Sequence, residues 1–573
     1  MESFDRRTFL AGALGAAGVL VLGACANGDD ERDPGTQRDA GGDLAPAPRP
    51  VLRLSGGNQG FPSPFGYQRG GGYIQASYLY DTLLWKDSTG EVLPWLAAAL
   101  PRRSADARMY TFDLRDNIRW HDGRPLTAQD VVFTFQYFAA QREAGKLSQQ
   151  IIVEPVPDIA EVRATGPRTV EFRLNAPVAT FLQFGGAGAV PIVPKHIWEG
   201  IDNASMASDT QLLVGSGPYR LESYSRGEGS YLYTANDDFF LGRPFVRRIE
   251  NRPLGGGPTA ELNALQAGEL DAGGASGIRP EALEPFRRDS AFEVLDQPPG
   301  VSQIALNWNL AKGGALADVR FRRACARAID RKDLVNRLFG GNGTPGNPGW
   351  IPPESPWHES VEQYPFDVAA ANRLLDDAGY RRASPDATRQ TTDGQPLRFG
   401  LLVTSPPSPA TDLVVNALKA IGVELQPQAL DTPAFNQRVN RGETEMYLIG
   451  SGGMNSDLAP DYLRLVYSSD ARLTQRAYGY KNAEVDDLAQ RQLNTVDEAE
   501  RMKIVDRLQE LIARDIPLLP LFYPDSYSIV RKATFDEWYI TPGGVAGVVP
   551  TINNKHVFVT GLEKGLTIRP IQE

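Results

Sequence analysis

Residues 109–138 read Met109-Tyr-Thr-Phe-Asp-Leu114, then Arg115-Asp-Asn-Ile-Arg-Trp-His121-Asp-Gly123, then Arg124-Pro-Leu-Thr127-Ala-Gln-Asp130-Val-Val-Phe-Thr-Phe135-Gln-Tyr-Phe138. Tyr110, Phe112 and Leu114 alternate with Met109, Thr111 and Asp113, which predicts a short strand with one buried face. His121-Asp122-Gly123 reads as a tight turn, its histidine as well suited to a structural hydrogen bond as to a ligand. Thr127, with Asp130 three residues on, fits a helix N-cap, and Val131, Val132, Phe135 and Phe138 fall on one helical face. Strand, turn and amphipathic helix in so short a stretch point to a mixed α/β chain.

Downstream the mixture continues. Leu397 to Val403 reads as a buried strand and Ala410 to Ala420 as a helix with Leu413, Val414, Ala417 and Leu418 inward. After Gly422, Val423 to Ala429 starts a second strand, completing a βαβ-like unit. Asp367 caps another expected helix, which runs through Leu374 and Leu375 and stops at Gly379. Thr169–Leu174 and Tyr231–Tyr233 add short alternating strands.

Upstream, Asp5-Arg6-Arg7-Thr8-Phe9-Leu10 precedes an apolar run, Ala11 to Leu22, too short to span a bilayer but suited to a signal-peptide core. The paired arginines resemble a twin-arginine export signal. Leu22-Gly23-Ala24-Cys25 resembles a bacterial lipobox, so Cys25 is the expected lipidation site. Ala26 to Pro50 is mostly Gly, Asp, Arg, Pro and Ala and should form a flexible tether, reaching roughly 25–30 Å root-mean-square.

The 573 residues carry a net charge of −11 and 42% apolar residues, which fits a soluble multidomain protein and argues against a nucleic-acid surface. Beyond Cys25 the only cysteine is Cys325, on the apolar face of an expected helix with Phe321, Ala328 and Ile329, so no disulfide within the chain is expected. The four histidines, His121, His196, His358 and His556, lie at no metal-ligand spacing. A nucleophile elbow and a P-loop are missing. The single Gly-x-Gly-x-x-Gly match, Gly341 to Gly346, is followed by no possible helix because of Pro345 and Pro348, and reads as a loop. No catalytic residue, metal site or cofactor is expected.

Several stretches in order resemble the peptide- and nickel-type extracellular solute-binding proteins of ABC importers. They are Tyr80–Trp85 with Leu93–Ala97, Phe112–Gly123 with Pro125–Val131, Gly215–Tyr219, Asn236–Pro244, Leu265–Asp271, Asp318–Ala324 with Ala328–Lys332, and Tyr478–Asn482 with Val485–Asp486. The resemblance implies an α/β, two-lobed, hinged periplasmic-binding-protein fold with an additional small domain. Residues 1–24 would be signal peptide and 25–50 the lipidated tether. Domain I would comprise 51–85, 214–300 and 520–573, domain II 86–213, and domain III 301–519. The implied function is an extracytoplasmic receptor, anchored to the cell membrane by lipid, that closes on its solute and delivers it to the permease subunits. It is expected to be a monomer that does not contact nucleic acid.

In peptide receptors of this family a Gly-Trp segment followed by Asp lines the pocket, the Asp pairing with the peptide's amino group. Here the stretch is Gly450-Ser451-Gly-Gly-Met454-Asn455-Ser-Asp457, with Ser451 in the Trp place and Met454 or Asn455 near the Asp place. Asp457 could restore the charge. Asn58, Gln59 and Phe61 after the first strand, and Trp308 with Asn309 entering domain III, complete the candidate ligand residues. A peptide is the leading solute. An oligosaccharide or metal chelate would suit the same receptor shape, and an extracellular hydrolase is the reading from a different class.

Overall fold

The computed structural model describes residues 51–55, 60–65, 74–86, 91–147, 159–183, 186–254, 257–276, 278–296, 302–452 and 459–532, with a few positions beyond. The expected export signal, Cys25 and the expected tether lie outside the described residues.

Three larger sheets organise the described chain. The first has seven strands in the order Phe292–Asp296, Ser526–Arg531, Ala272–Ser276, Val51–Ser55, Arg248–Arg252, Ser230–Ala235 and Tyr219–Ser225. Val51–Ser55 runs parallel to Arg248–Arg252 on one side and to Ala272–Ser276 on the other. The second is a four-stranded antiparallel sheet of Arg102–Arg103, Met109–Asp113, Thr169–Leu174 and Ile159–Ala164. The third has six strands in the order Gly343–Pro345, Leu518–Pro524, Ser302–Trp308, Met446–Gly452, Arg398–Thr404 and Glu424–Leu430.

The 109–138 stretch folds as its pattern dictates. In strand Met109–Asp113, Tyr110 and Phe112 are buried while Met109 is exposed. Helix Ala128–Glu143 follows, burying Val131, Val132, Phe135 and Phe138. Asp130 fastens the head of this helix twice. One carboxylate oxygen accepts the Thr127 backbone N–H at 2.9 Å, and the other accepts that of Lys195 at 3.0 Å. The apolar side chains of this unit join those of the seven-stranded sheet, Leu52, Tyr231, Tyr233 and Ile249 among them, in one continuous core. The first two sheets therefore form one lobe.

The six-stranded sheet is covered on both faces. Leu306, Trp308, Leu401, Val403 and Leu519 pack with Phe321 and Cys325 on one face. On the other, Ala305 packs with Trp350, Tyr467, Val505 and Leu508, under helices Ala459–Tyr467, Ala483–Asn494 and Glu498–Asp515. The βαβ unit is Arg398–Thr404, Ala410–Lys419 and Glu424–Leu430, its strands parallel from Arg398 opposite Glu424 onward. Helix Val368–Asp377 starts where Asp367 accepts the Ala370 N–H at 2.8 Å and ends before Gly379 at φ +89°. The glycine-rich stretch expected as a loop is a short strand over Gly343–Pro345, because its edge pairs with Leu518–Pro524.

Leu518–Pro524 runs across the expected 519/520 boundary and belongs wholly to the six-stranded sheet. Ser526–Arg531 belongs to the seven-stranded sheet, so the chain changes lobe through the single residue Asp525. It crosses a second time between strands Phe292–Asp296 and Ser302–Trp308.

Candidate ligand cleft

Two connections of this kind let two rigid bodies rotate about a short axis, and the residues around the crossings set the cost of that motion. Asp525 is partly enclosed, and its carboxyl is pushed up first by burial and then by the neighbouring carboxylates of Glu354 and Asp296. Its backbone N–H reaches the Asn342 carbonyl at 3.3 Å.

The lobes also touch away from the chain crossings. Ala179 of the first lobe donates its backbone N–H to the Leu493 carbonyl of the second at 2.8 Å. Beside it, the Thr180 hydroxyl donates to Asp461 Oδ1 at 3.5 Å. Asp461 heads helix Ala459–Tyr467, is 1% exposed, and pairs through Oδ2 with Arg501 Nη2 at 3.4 Å. Arg501 is itself held by two bonds to Gln492 Oε1, at 3.0 and 2.9 Å, and lies over the Trp357 ring. Burial raises the Asp461 carboxyl, with Arg501 opposing. Two desolvated charges satisfied by fixed partners make a rigid abutment against which Thr180 can seat.

Within the first lobe, His121 ties the small sheet's turn to the Gly215–Gly217 segment. Its backbone N–H donates to Gly215 O at 2.7 Å and its ring Nε2 lies 3.0 Å from Gly217 O. The glycines are required here by close approach: a Cβ on Gly215 would stand 1.7 Å from the Leu79 carbonyl oxygen.

The sequence-predicted ligand residues are distributed unevenly. Asn58, Gln59, Met454, Asn455 and Asp457 lie outside the described residues. Phe61 is half-buried against the first core, its ring edge-on to Tyr224 at 6.4 Å, and the adjoining Gly60 carbonyl accepts the Tyr231 hydroxyl at 2.6 Å. Trp308 is fully buried in the second lobe's core. The Asn309 amide donates to Gly442 O at 3.2 Å and Thr444 O at 2.8 Å while its oxygen accepts the Ala311 N–H at 3.1 Å, so it fastens two loops. Ser451 is half-buried and its Oγ accepts from Gln303 Nε2 at 3.1 Å.

Strands Ser302–Trp308 and Met446–Gly452 are antiparallel, with Gln303 opposite Ser451 and Trp308 opposite Met446. Trp308 and Ser451 thus stand at opposite ends of one strand pair, about 17 Å apart at 3.3–3.4 Å per residue. Gln303 was not marked by the sequence, since a lone Gln in an apolar strand carries no motif; the one available signal was its polarity at an inward position. Among the described residues no group of three or more His, Cys, Asp and Glu is placed to hold a metal ion, and no helix is long and apolar enough to cross a membrane.

Two lobes, a pair of chain crossings and an inter-lobe contact define a hinged α/β binding protein. The sequence model of the bacterial extracellular solute-binding proteins, family 5 Middle, matches residues 91–472, and the chain belongs to this family. It is similar to Protein XP55 of Streptomyces lividans, 30% identical over 57% of each chain. It also resembles the oligopeptide-binding protein AppA of Bacillus subtilis, 25% identical over 73% of this chain and 76% of that one. Among solved structures, NikZ of Campylobacter jejuni in complex with Ni(L-His) superposes with a TM-score of 0.73 at 24% identity, covering 87% of this chain and 97% of that one.

Proposed function

We propose that the chain is the extracytoplasmic receptor of an ABC importer, that its solute is a peptide, and that it closes by rotation about Asp525 and the neighbouring crossing. The observation that carries this reading is the single-residue passage between sheets combined with the Thr180–Asp461 contact, a hinge and a closing surface in one molecule. A peptide is supported by the name of the Bacillus subtilis relative. The seven-, four- and six-stranded sheets would be the centres of domains I, II and III. Phe61 and Ser451, with Asn58, Gln59, Met454, Asn455 and Asp457 from the sequence, would face the solute. Cys25 would carry the lipid that holds the receptor near its permease, and the receptor would act as a monomer that binds without turnover.

The test is native mass spectrometry of the purified protein, followed by calorimetry with the solute it releases. A co-purifying peptide supports the reading. A released oligosaccharide or metal chelate would keep the receptor and replace the solute, whereas sustained cleavage of a peptide or glycoside library by homogeneous protein would favour the hydrolase.

A further inference from the structure

Gln303 is the second residue of strand Ser302–Trp308, which the chain enters directly from one of the lobe crossings. Its neighbour Ile304 pairs with Phe522, close to the second crossing at Asp525. Side chains alternate along a strand, so Gln303 shares a face with Ala305. Ala305 packs under the helical layer whose first helix carries Asp461, the residue that meets Thr180 of the other lobe. The Gln303 face therefore begins at the hinge and, further along at Ala305, runs under the helices that contact the opposite lobe.

Gln303 is 1% exposed, yet only half of its amide is used. Nε2 donates to Ser451 Oγ at 3.1 Å, while Oε1 is buried without a hydrogen-bond partner. A buried carbonyl oxygen left unpaired costs about 1–3 kcal/mol, so such atoms call for a partner. Ser451, directly opposite in register and half-buried, accepts the Gln303 proton and keeps its own hydroxyl proton to donate. The two side chains thus present one acceptor and one donor side by side at the hinge end of the second lobe.

We propose that Gln303 and Ser451 together read one secondary amide of the solute, Gln303 Oε1 accepting its N–H and the Ser451 hydroxyl donating to its carbonyl. This assignment rests on the peptide reading above and adds the chemistry of one contact. A solute offering only acceptors at this point, such as a carboxylate-rich chelate, would face the unpaired Oε1 with its own lone pairs.

The experiment is calorimetry of the full chain with tri-, tetra- and penta-alanine and with the same peptides carrying one N-methyl group at each backbone amide in turn. In the wild type one N-methyl position should weaken binding about tenfold. Gln303→Leu should bind the parent peptide about tenfold more weakly and be indifferent to that same methyl group, with its ligand-free melting temperature not lowered. Ser451→Ala, which removes only the hydroxyl, provides a second variant and should also weaken the parent peptide. Full affinity in both variants, or undiminished sensitivity of Gln303→Leu to every N-methyl group, would overturn the assignment and leave the peptide reading standing. Failure of all the alanine peptides to bind would remove the peptide reading and this inference together.

Discussion

The imidazole of His121 is held at both nitrogens by the Gly215–Gly217 segment: Nε2 lies 3.0 Å from Gly217 O, and Nδ1 lies 3.2 Å from the backbone nitrogen of Gly215. A carbonyl facing one ring nitrogen and an N–H facing the other assign the neutral tautomer with its proton on Nε2. The ring is enclosed, though the residue keeps some exposed surface, and burial first, with the Arg220 charge adding to it, pushes the imidazole down to about 4.

This arrangement predicts acid sensitivity. Protonation would turn Nδ1 from acceptor to donor against the Gly215 N–H. A histidine lowered from 6.5 to about 4 contributes stability that is complete above pH 6.5 and is lost as pH falls toward 4. The loss from this group should amount to about 3 kcal/mol. Denaturant unfolding of wild type and His121→Gln at pH 7.5, 5.5 and 4 checks it; the variant should lack this part of the acid dependence.

Closure should depend on Thr180 more than folding does. Thr180→Val removes the hydroxyl at the Asp461 abutment without changing the side-chain volume. At 3.5 Å the bond is long, so we expect affinity for the solute to fall only a few-fold, and ligand-free stability to stay within ~0.5 kcal/mol. Calorimetry and thermal unfolding on the same preparation separate the two effects.

Arg501→Met should behave in the opposite way. It leaves Asp461, 1% exposed, as a buried charge without its cation, and should destabilise the folded protein by about 3 kcal/mol. Asp461 would then be forced to take up a proton, so the deficit should shrink on acidification into the carboxylate range. Urea midpoints of the variant at pH 7 and pH 5 test the direction.

Cys25→Ala should release the protein from membranes while leaving its body folded, as read from the lipobox at the end of the apolar run. Membrane fractionation of cells expressing each form is the measurement, and equal retention of the variant would contradict the anchor.

For a solute carrying a cationic amine, Asp457→Asn should weaken binding by about tenfold to a hundredfold, the value of a charge-assisted bond in a water-poor cleft. Asp457 is the only carboxylate between Gly450 and Leu458. Unchanged calorimetric affinity at matched salt would move the counter-charge elsewhere.

What could be read along the chain was what depends on neighbours in sequence. The Thr127–Asp130 cap, the buried Tyr110 and Phe112, the helix between Asp367 and Gly379 and the strand-helix-strand unit from Arg398 to Leu430 are all governed by local periodicity and capping, and the bounds of that last unit differ from the reading by a single residue at most ends. The family blocks carried the architecture. The positions of particular residues did not follow from them: Trp308 and Asn309 were expected at the ligand by type, and only the strand register showed that Trp308 stands at the opposite end of its strand pair from Ser451. Gln303 and Ser451 are 148 positions apart, His121 and Gly217 are 96, and Thr180 and Asp461 are 281. A hydrogen bond between such residues exists because sheets and helices bring their side chains within about 3 Å, and no periodicity in the sequence encodes that distance. The amino-acid sequence by itself therefore determined the class of fold. Which side chains meet near the lobe crossings, and that Gln303 Oε1 is left without a partner, was decided by tertiary packing, because a hydrogen bond is specified by position in space and not by residue type.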